Sequence, residues 1–175
     1  MKHYLLLLVI SFLTSCGDDE KSDPTAPNYL STTISGITMT DVNGSLFGTV
    51  DQSDWGTSDL FSPTLVAKFN FSDTLDYSDA DTGIVQLGFF PNPTTQLSSL
   101  YIDCSNPAVC KLIVTDNNLN VFTSTTVHLN DGNNLFVLNF DDSLFTANHL
   151  YRIYYQFYDA QKVCFARGHG DLKKD

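Results

Sequence analysis

Near the C-terminus, Tyr151-Arg152-Ile153-Tyr154-Tyr155-Gln156-Phe157-Tyr158 alternates strictly. Tyr151, Ile153, Tyr155 and Phe157 share one face; Arg152, Tyr154, Gln156 and Tyr158 share the other. A period of two marks a strand, because successive side chains of an extended chain point to opposite sides. A strand needs partners, and similar patterns run over 65–71, 84–90, 100–103, 111–115, 121–129, 135–140 and 163–166. Asn117-Asn118 and Asp131-Gly132-Asn133-Asn134 are turn signals between them. No stretch sustains an apolar period of 3.6. Strands in this number, with turns at intervals of about 8–12 residues, predict an all-β sandwich.

Before these strands, Asp41-Val42-Asn43-Gly44 is a turn signal leading into a short strand at 46–50, which predicts a hairpin. The only tryptophan, Trp55, stands in the turn-rich Asp51-Gln52-Ser53-Asp54-Trp55. It is a candidate ligand anchor, since aromatic anchors dominate interfaces; a plug over one end of the sandwich is the favoured reading. Tyr154, on the more polar face of its strand, is a second candidate ligand contact, although tyrosine is also an ordinary strand former. Asp141-Asp142-Ser143-Leu144-Phe145 predicts one helical turn capped by Asp141 or Asp142.

The chain starts Met1-Lys2, runs apolar from Leu5 to Leu13, and reaches Leu13-Thr14-Ser15-Cys16. That run is shorter than the roughly 20 residues a membrane span needs. A basic start, a short apolar core and small residues before a cut are signal-peptide features. Leucine three places before a cysteine, with small residues between, is a lipobox. It predicts a lipoprotein signal peptide over 1–15 and lipidation of Cys16, whose acyl chains together hold a protein stably on a membrane. Residues 16–30, polar and carrying Pro24 and Pro27, read as a flexible tether. Two further regions follow: N-terminal strands and loops at 31–85 that pack on the sandwich, and the sandwich proper at 86–175.

The formal charge is −11, and removal of Lys2 with the leader makes the remainder one unit more negative. Such a chain is repelled by nucleic acid, which is excluded as a partner. Glu20 is the only glutamate; the other acids are aspartates, suited to turns and caps. With Cys16 lipidated, Cys104, Cys110 and Cys164 remain. Export to the envelope permits disulfides. Cys104-Ser105-Asn106-Pro107-Ala108-Val109-Cys110 reads as a loop closed by a disulfide between neighbouring strand ends, worth about 2–3 kcal/mol at most. Cys164 is then a buried thiol, with pairing to either of the others as the alternative.

Two resemblances attach to particular motifs. Phe89-Phe90-Pro91-Asn92-Pro93-Thr94-Thr95, the turn near Asp116, Gly132-Asn133 and the tyrosine-rich strand resemble the C-terminal sorting domain of type IX secretion cargo. That resemblance implies an immunoglobulin-like β-sandwich. The whole chain is similar to small lipoproteins of the same bacterial lineages, through Cys16, Asp51 with Asp54-Trp55, Leu60-Phe61, Pro91-Asn92-Pro93 and Gly168-His169-Gly170-Asp171. No activity comes with that similarity. Gly17-Asp18-Asp19-Glu20 resembles the surface-export signal of such lipoproteins, and a plain solvated spacer is the competing reading. Asp73-Thr74-Leu75 and Asp142-Ser143-Leu144 resemble their O-glycosylation motif. Because an acyl anchor is present, the Pro-Asn-Pro module is read as a retained domain; type IX cargo carrying a sorting domain is kept as an alternative.

The remaining chemistry is sparse. Asp79-Ala80-Asp81-Thr82-Gly83, with Asp76 just upstream, resembles the start of a calcium loop but lacks its third acid and closing glutamate. His128, His149 and His169 have no zinc spacing. Cys164 with His169 is the only visible hydrolase candidate; the glycines flanking His169 read instead as a close backbone approach. No metal, cofactor or catalytic residue is therefore assigned. The expectation is a non-enzymatic outer-membrane lipoprotein, facing the cell surface with the periplasmic face as alternative. It acts through protein or glycan contacts; an accessory glycan-binding role in nutrient uptake, with Trp55 and Tyr154 as platforms, is the second reading.

Overall fold

The computed structural model describes residues 27–71, 76–77 and 83–175. The leader, Cys16, the motif at Asp73-Thr74-Leu75 and the acids Asp79 and Asp81 lie outside the described residues.

Eight strands follow a single helical turn, α1 (Pro63–Val66): β1 (Asp76–Tyr77), β2 (Ile84–Phe90), β3 (Leu97–Cys104), β4 (Ala108–Thr115), β5 (Val121–Leu129), β6 (Gly132–Asn139), β7 (His149–Tyr158) and β8 (Val163–Lys174). They form two sheets, ordered β1-β8-β7-β4-β5 and β2-β3-β6. Apart from the short parallel contact of β1 with β8, all pairings are antiparallel. With the two-residue β1 set aside, three strands face four and the chain crosses between sheets after β3, β5 and β6, which is an immunoglobulin-like sandwich. Its tyrosine corner is present: Tyr151, early in β7, accepts a hydrogen bond at its hydroxyl from the Thr146 amide, 2.8 Å away. Asp141 accepts at its side chain from the Ser143 amide, capping the single turn expected there.

The core between the sheets is built as the alternation requires. Leu100 and Ile102 of β3, Leu112 and Val114 of β4, and Tyr151, Ile153, Tyr155 and Phe157 of β7 turn inward together. The other face of β7 is buried too. Residues 27–71 form an arm; part of it covers the outside of the larger sheet, where Phe61 and Leu65 close a second apolar cluster with Ile113, Leu119 and Tyr154. That cover explains why β4, β7 and β8 are buried on both faces although only one faces the main core.

Four expectations need correction. The 65–71 stretch is no strand: Ser62 accepts from the Leu65 amide and Pro63 occupies the first helical position, so the chain turns into α1. The expected hairpin at 34–50 is short and irregular: 39–41 pairs with 45–49 through three backbone hydrogen bonds and one antiparallel bridge between Thr40 and Leu46, and no full strand forms there. The last strand does not stop at 166 but continues through the glycines to Lys174. Cys104 and Cys110 form no disulfide; they and Cys164 are free and buried. Cys104 ends a strand of the smaller sheet while Cys110 lies in the larger one. Both side chains enter the core between the sheets, and they are not joined. The Cys104 thiol donates instead to the Asn130 carbonyl at 3.0 Å.

Candidate functional site

The arm is clasped to β8, and the clasp gathers most of the motifs that stood out in the sequence. On the inward side of β8, Gly168 and Gly170 leave bare backbone. A β-carbon at 170 would stand 2.4 Å from the Trp55 ring, and one at 168 would stand 1.9 Å from the Gly56 carbonyl oxygen. Trp55 fills that space, stacked on Phe89 at 5.2 Å and on Tyr155 at 6.3 Å between ring centres. Its backbone is left-handed, with φ of 62°, a conformation that costs a bulky residue roughly 1–2 kcal/mol. Its amide donates to the His169 carbonyl at 2.7 Å, and Tyr155 donates from its hydroxyl to the Gly56 and His169 carbonyls.

On the outward side, Asp171 faces Arg152 across the β7–β8 pair. Arg152 grips both Asp171 oxygens, at 2.5 and 2.6 Å, and donates onward to the Ser31 carbonyl of the arm at 2.6 Å. Asp54 accepts from the Asp171 amide at 2.9 Å and the Thr38 amide at 2.7 Å. His169 meets Asp59 at 2.5 Å. Asn92, wholly buried in Pro91-Asn92-Pro93, donates to the Thr38 and Asp171 carbonyls and accepts from the Lys173 amide.

Burial, reinforced by the negative charge of Asp171, pushes the Asp54 carboxyl up to about 6. Burial also raises Asp171, with the Arg152 hydrogen bonds and charge pulling the other way. Those same contacts outweigh burial at Arg152 and hold its guanidinium charged.

Asp54, His169 and Asp171 place ligand-type atoms within 4.8 Å of one another. The donor set does not suit a cation. Both Asp171 oxygens hold the guanidinium, both Asp54 oxygens hold amides, and Nδ1 of His169 is engaged by Asp59. The positive charge beside these acids is already supplied by Arg152. The cluster is a fastening.

Beside β2 lies a groove of about 560 Å³, bounded by the 38–46 stretch of the arm and by β2 and β3. Thr38, Asn43, Gln86, Trp55, Phe90 and Tyr101 line it, and among the described residues no Asp, Glu, Lys or Arg does. Tyr101 is held by a hydrogen bond from its hydroxyl to the Asn133 side chain. Next to it, the outer face of the smaller sheet exposes Leu97, Leu135 and Val137.

The two aromatic candidates therefore differ in fate from what was expected of ligand platforms. Tyr154 is wholly buried, edge-on to Phe61 at 5.6 Å, beneath the arm. Trp55 is a half-buried plug whose ring is used in stacking, although it borders the groove. Phe90 and Tyr101, which border the groove, were not singled out in the sequence; an outward aromatic on each of two paired strands is their only signal. Cys164 and His169 are five positions apart on one extended strand, about 16 Å at 3.3 Å per residue, so they form no catalytic pair. Burial pushes the Cys164 thiol up to about 11.

No protein-family model matches the chain, and neither does any curated protein. Among solved structures it is similar to a family 76 glycoside hydrolase from a bovine Bacteroides thetaiotaomicron strain, with a TM-score of 0.39 and 11% identity. The match covers 54% of this chain and 21% of that one. A match at this score carries no argument about fold or activity.

Proposed function

We propose that the chain is a non-enzymatic lipoprotein of the bacterial cell envelope, anchored to the outer membrane through Cys16, with the sandwich at the cell surface and the groove beside β2 taking a neutral glycan. One contrast carries this reading. The chain has a net charge of −11, yet the described groove lining is uncharged and combines aromatic rings with amide side chains. Aromatic rings pack on apolar sugar faces, and a few placed amides orient hydroxyls. A charged ligand calls for complementary charge in the lining. The acids and the histidine that would otherwise invite a catalytic role are used in fastening the arm. A protein contact is a second reading, favoured by Leu97, Leu135 and Val137 on the adjoining sheet face.

Address and ligand are tested separately. Protease added to intact cells is expected to degrade the wild-type protein, and labelling of cells with a tagged fatty acid is expected to mark the wild type and not Cys16→Ala. Shielding of the wild type on intact cells would overturn the surface reading in favour of the periplasmic face. A glycan array probed with the purified chain is expected to give neutral ligands; binding confined to charged glycans would overturn the groove assignment.

A further inference from the structure

We propose that β5 is a self-association edge, along which a second copy of this chain pairs antiparallel about a two-fold axis at Thr126. The larger sheet ends at β5. Among the described residues no backbone group from outside the sheet bonds to β5, so its outer row of amides and carbonyls is open.

The edge on the opposite flank is closed. Trp55 and Asp59 donate to carbonyls of β8, the Arg167 amide donates to Thr57, and Thr94 donates to Lys173. β1 covers the start of the same strand. Open edges are normally blunted by charges, prolines, bulges or covering segments. β5 contains no Lys, Arg, Asp, Glu, Pro or Gly. Its one such feature is a register shift opposite Val114 and Thr115, next to Phe122, which leaves 123–129 regular.

That regular stretch is complementary to itself. A two-fold axis at Thr126 sets Thr126 against Thr126, Thr125 against Val127, Ser124 against His128 and Thr123 against Leu129. Thr–Thr and β-branched pairs are favourable across antiparallel strands. Thr125 and Val127 lie on the core side, while Ser124, Thr126 and His128 face solvent. β6, the neighbouring open edge, is a poorer template because it begins with glycine and carries three asparagines. The uncharged edge is also where two acidic chains meet with least repulsion, so added salt should strengthen pairing.

The test uses residues 16–175 carrying Cys16→Ala, so that neither the apolar leader nor an acyl chain contributes to association. Cys104, Cys110 and Cys164 are buried, so mild oxidation reads an introduced thiol. At the two-fold pair the α-carbons stand about 4.5–5.5 Å apart, within disulfide reach. Thr126→Cys is expected to shift to twice the mass of one chain on a non-reducing gel, while Val42→Cys, at an exposed position of the arm, stays at the mass of one chain. In sedimentation, Thr126→Lys is expected to remain a single chain at concentrations where the parent chain doubles its mass, with the melting temperature that the parent shows at dilutions where it too is a single chain. Equal cross-linking of the two cysteine variants, cross-linking of Thr126→Cys to a different protein, or a parent chain that never exceeds one chain's mass would overturn the proposal.

Discussion

Trp55 occupies the space that a side chain at Gly170 would need: a β-carbon there would lie 2.4 Å from three ring carbons. The ring is held in place by stacking on Phe89 and Tyr155. Gly170→Ala should therefore lift the arm from β8 and cost about 3 kcal/mol, at the upper end for overpacking. Trp55 is the only tryptophan, so its emission reports the change directly, with a red shift in the variant. Gly56→Ala is the control. Nothing lies within 4 Å of a β-carbon there, and its stability should stay within about 0.5 kcal/mol of the wild type.

Arg152 and Asp171 are both buried, and Arg152 also reaches the arm at Ser31. Asp171→Leu should cost about 3–5 kcal/mol, because it leaves a buried guanidinium without its counter-charge. Adding Arg152→Met removes that charge and should recover part of the loss. Recovery stays incomplete because the Ser31 carbonyl has lost its donor. Urea unfolding of the two single variants and the double variant measures the coupling; strict additivity would contradict the pairing.

Much of this clasp was hidden in the sequence for a physical reason. Strand β7 was legible because all its neighbours repeat with it, two residues at a time. The 51–61 stretch has no period, since each residue answers to a different partner: Asp54 to Asp171, Trp55 to Gly170, Asp59 to His169 and Phe61 to Tyr154. Gly168 and Gly170 did announce a close approach, but nothing local says that Trp55 and Gly56 make it. The same glycines made β8 look finished at 166. Cys104 and Cys110 looked like a pair because six positions separate them, and only the structure shows that the Cys104 thiol is turned to the Asn130 carbonyl instead.

Asp54 makes stability depend on pH in an unusual direction for a carboxylate. Its pKa is raised from 3.8 to about 6 by burial and by Asp171. The folded state therefore holds its proton more tightly than the unfolded state does. The stability this adds is fully present below about pH 4 and is lost as pH rises through 6. Measured as the difference between wild type and Asp54→Asn, it should fall by roughly 2–3 kcal/mol between pH 4 and pH 7. A difference that is flat or rising over that interval would contradict the placement of Asp54.

The thiols give a chemical check on the sandwich. In the chain carrying Cys16→Ala, the three remaining cysteines are buried and unpaired, and burial raises the pKa of Cys164 to about 11. An alkylating reagent should leave the folded protein unlabelled and add three groups once it is unfolded without reductant. Fewer than three additions would mean that a disulfide forms after all. Reductant should leave the melting temperature unchanged.

The central claim is that the uncharged groove beside β2 binds a neutral glycan and leaves it intact. The direct measurement is titration calorimetry of the strongest array ligand against wild type, Tyr101→Ala and His169→Ala, with the glycan recovered afterwards and weighed by mass spectrometry. The predicted result is binding abolished in Tyr101→Ala, retained in folded His169→Ala, and a glycan of unchanged mass throughout. Equal binding by Tyr101→Ala, or a cleaved glycan, would contradict it.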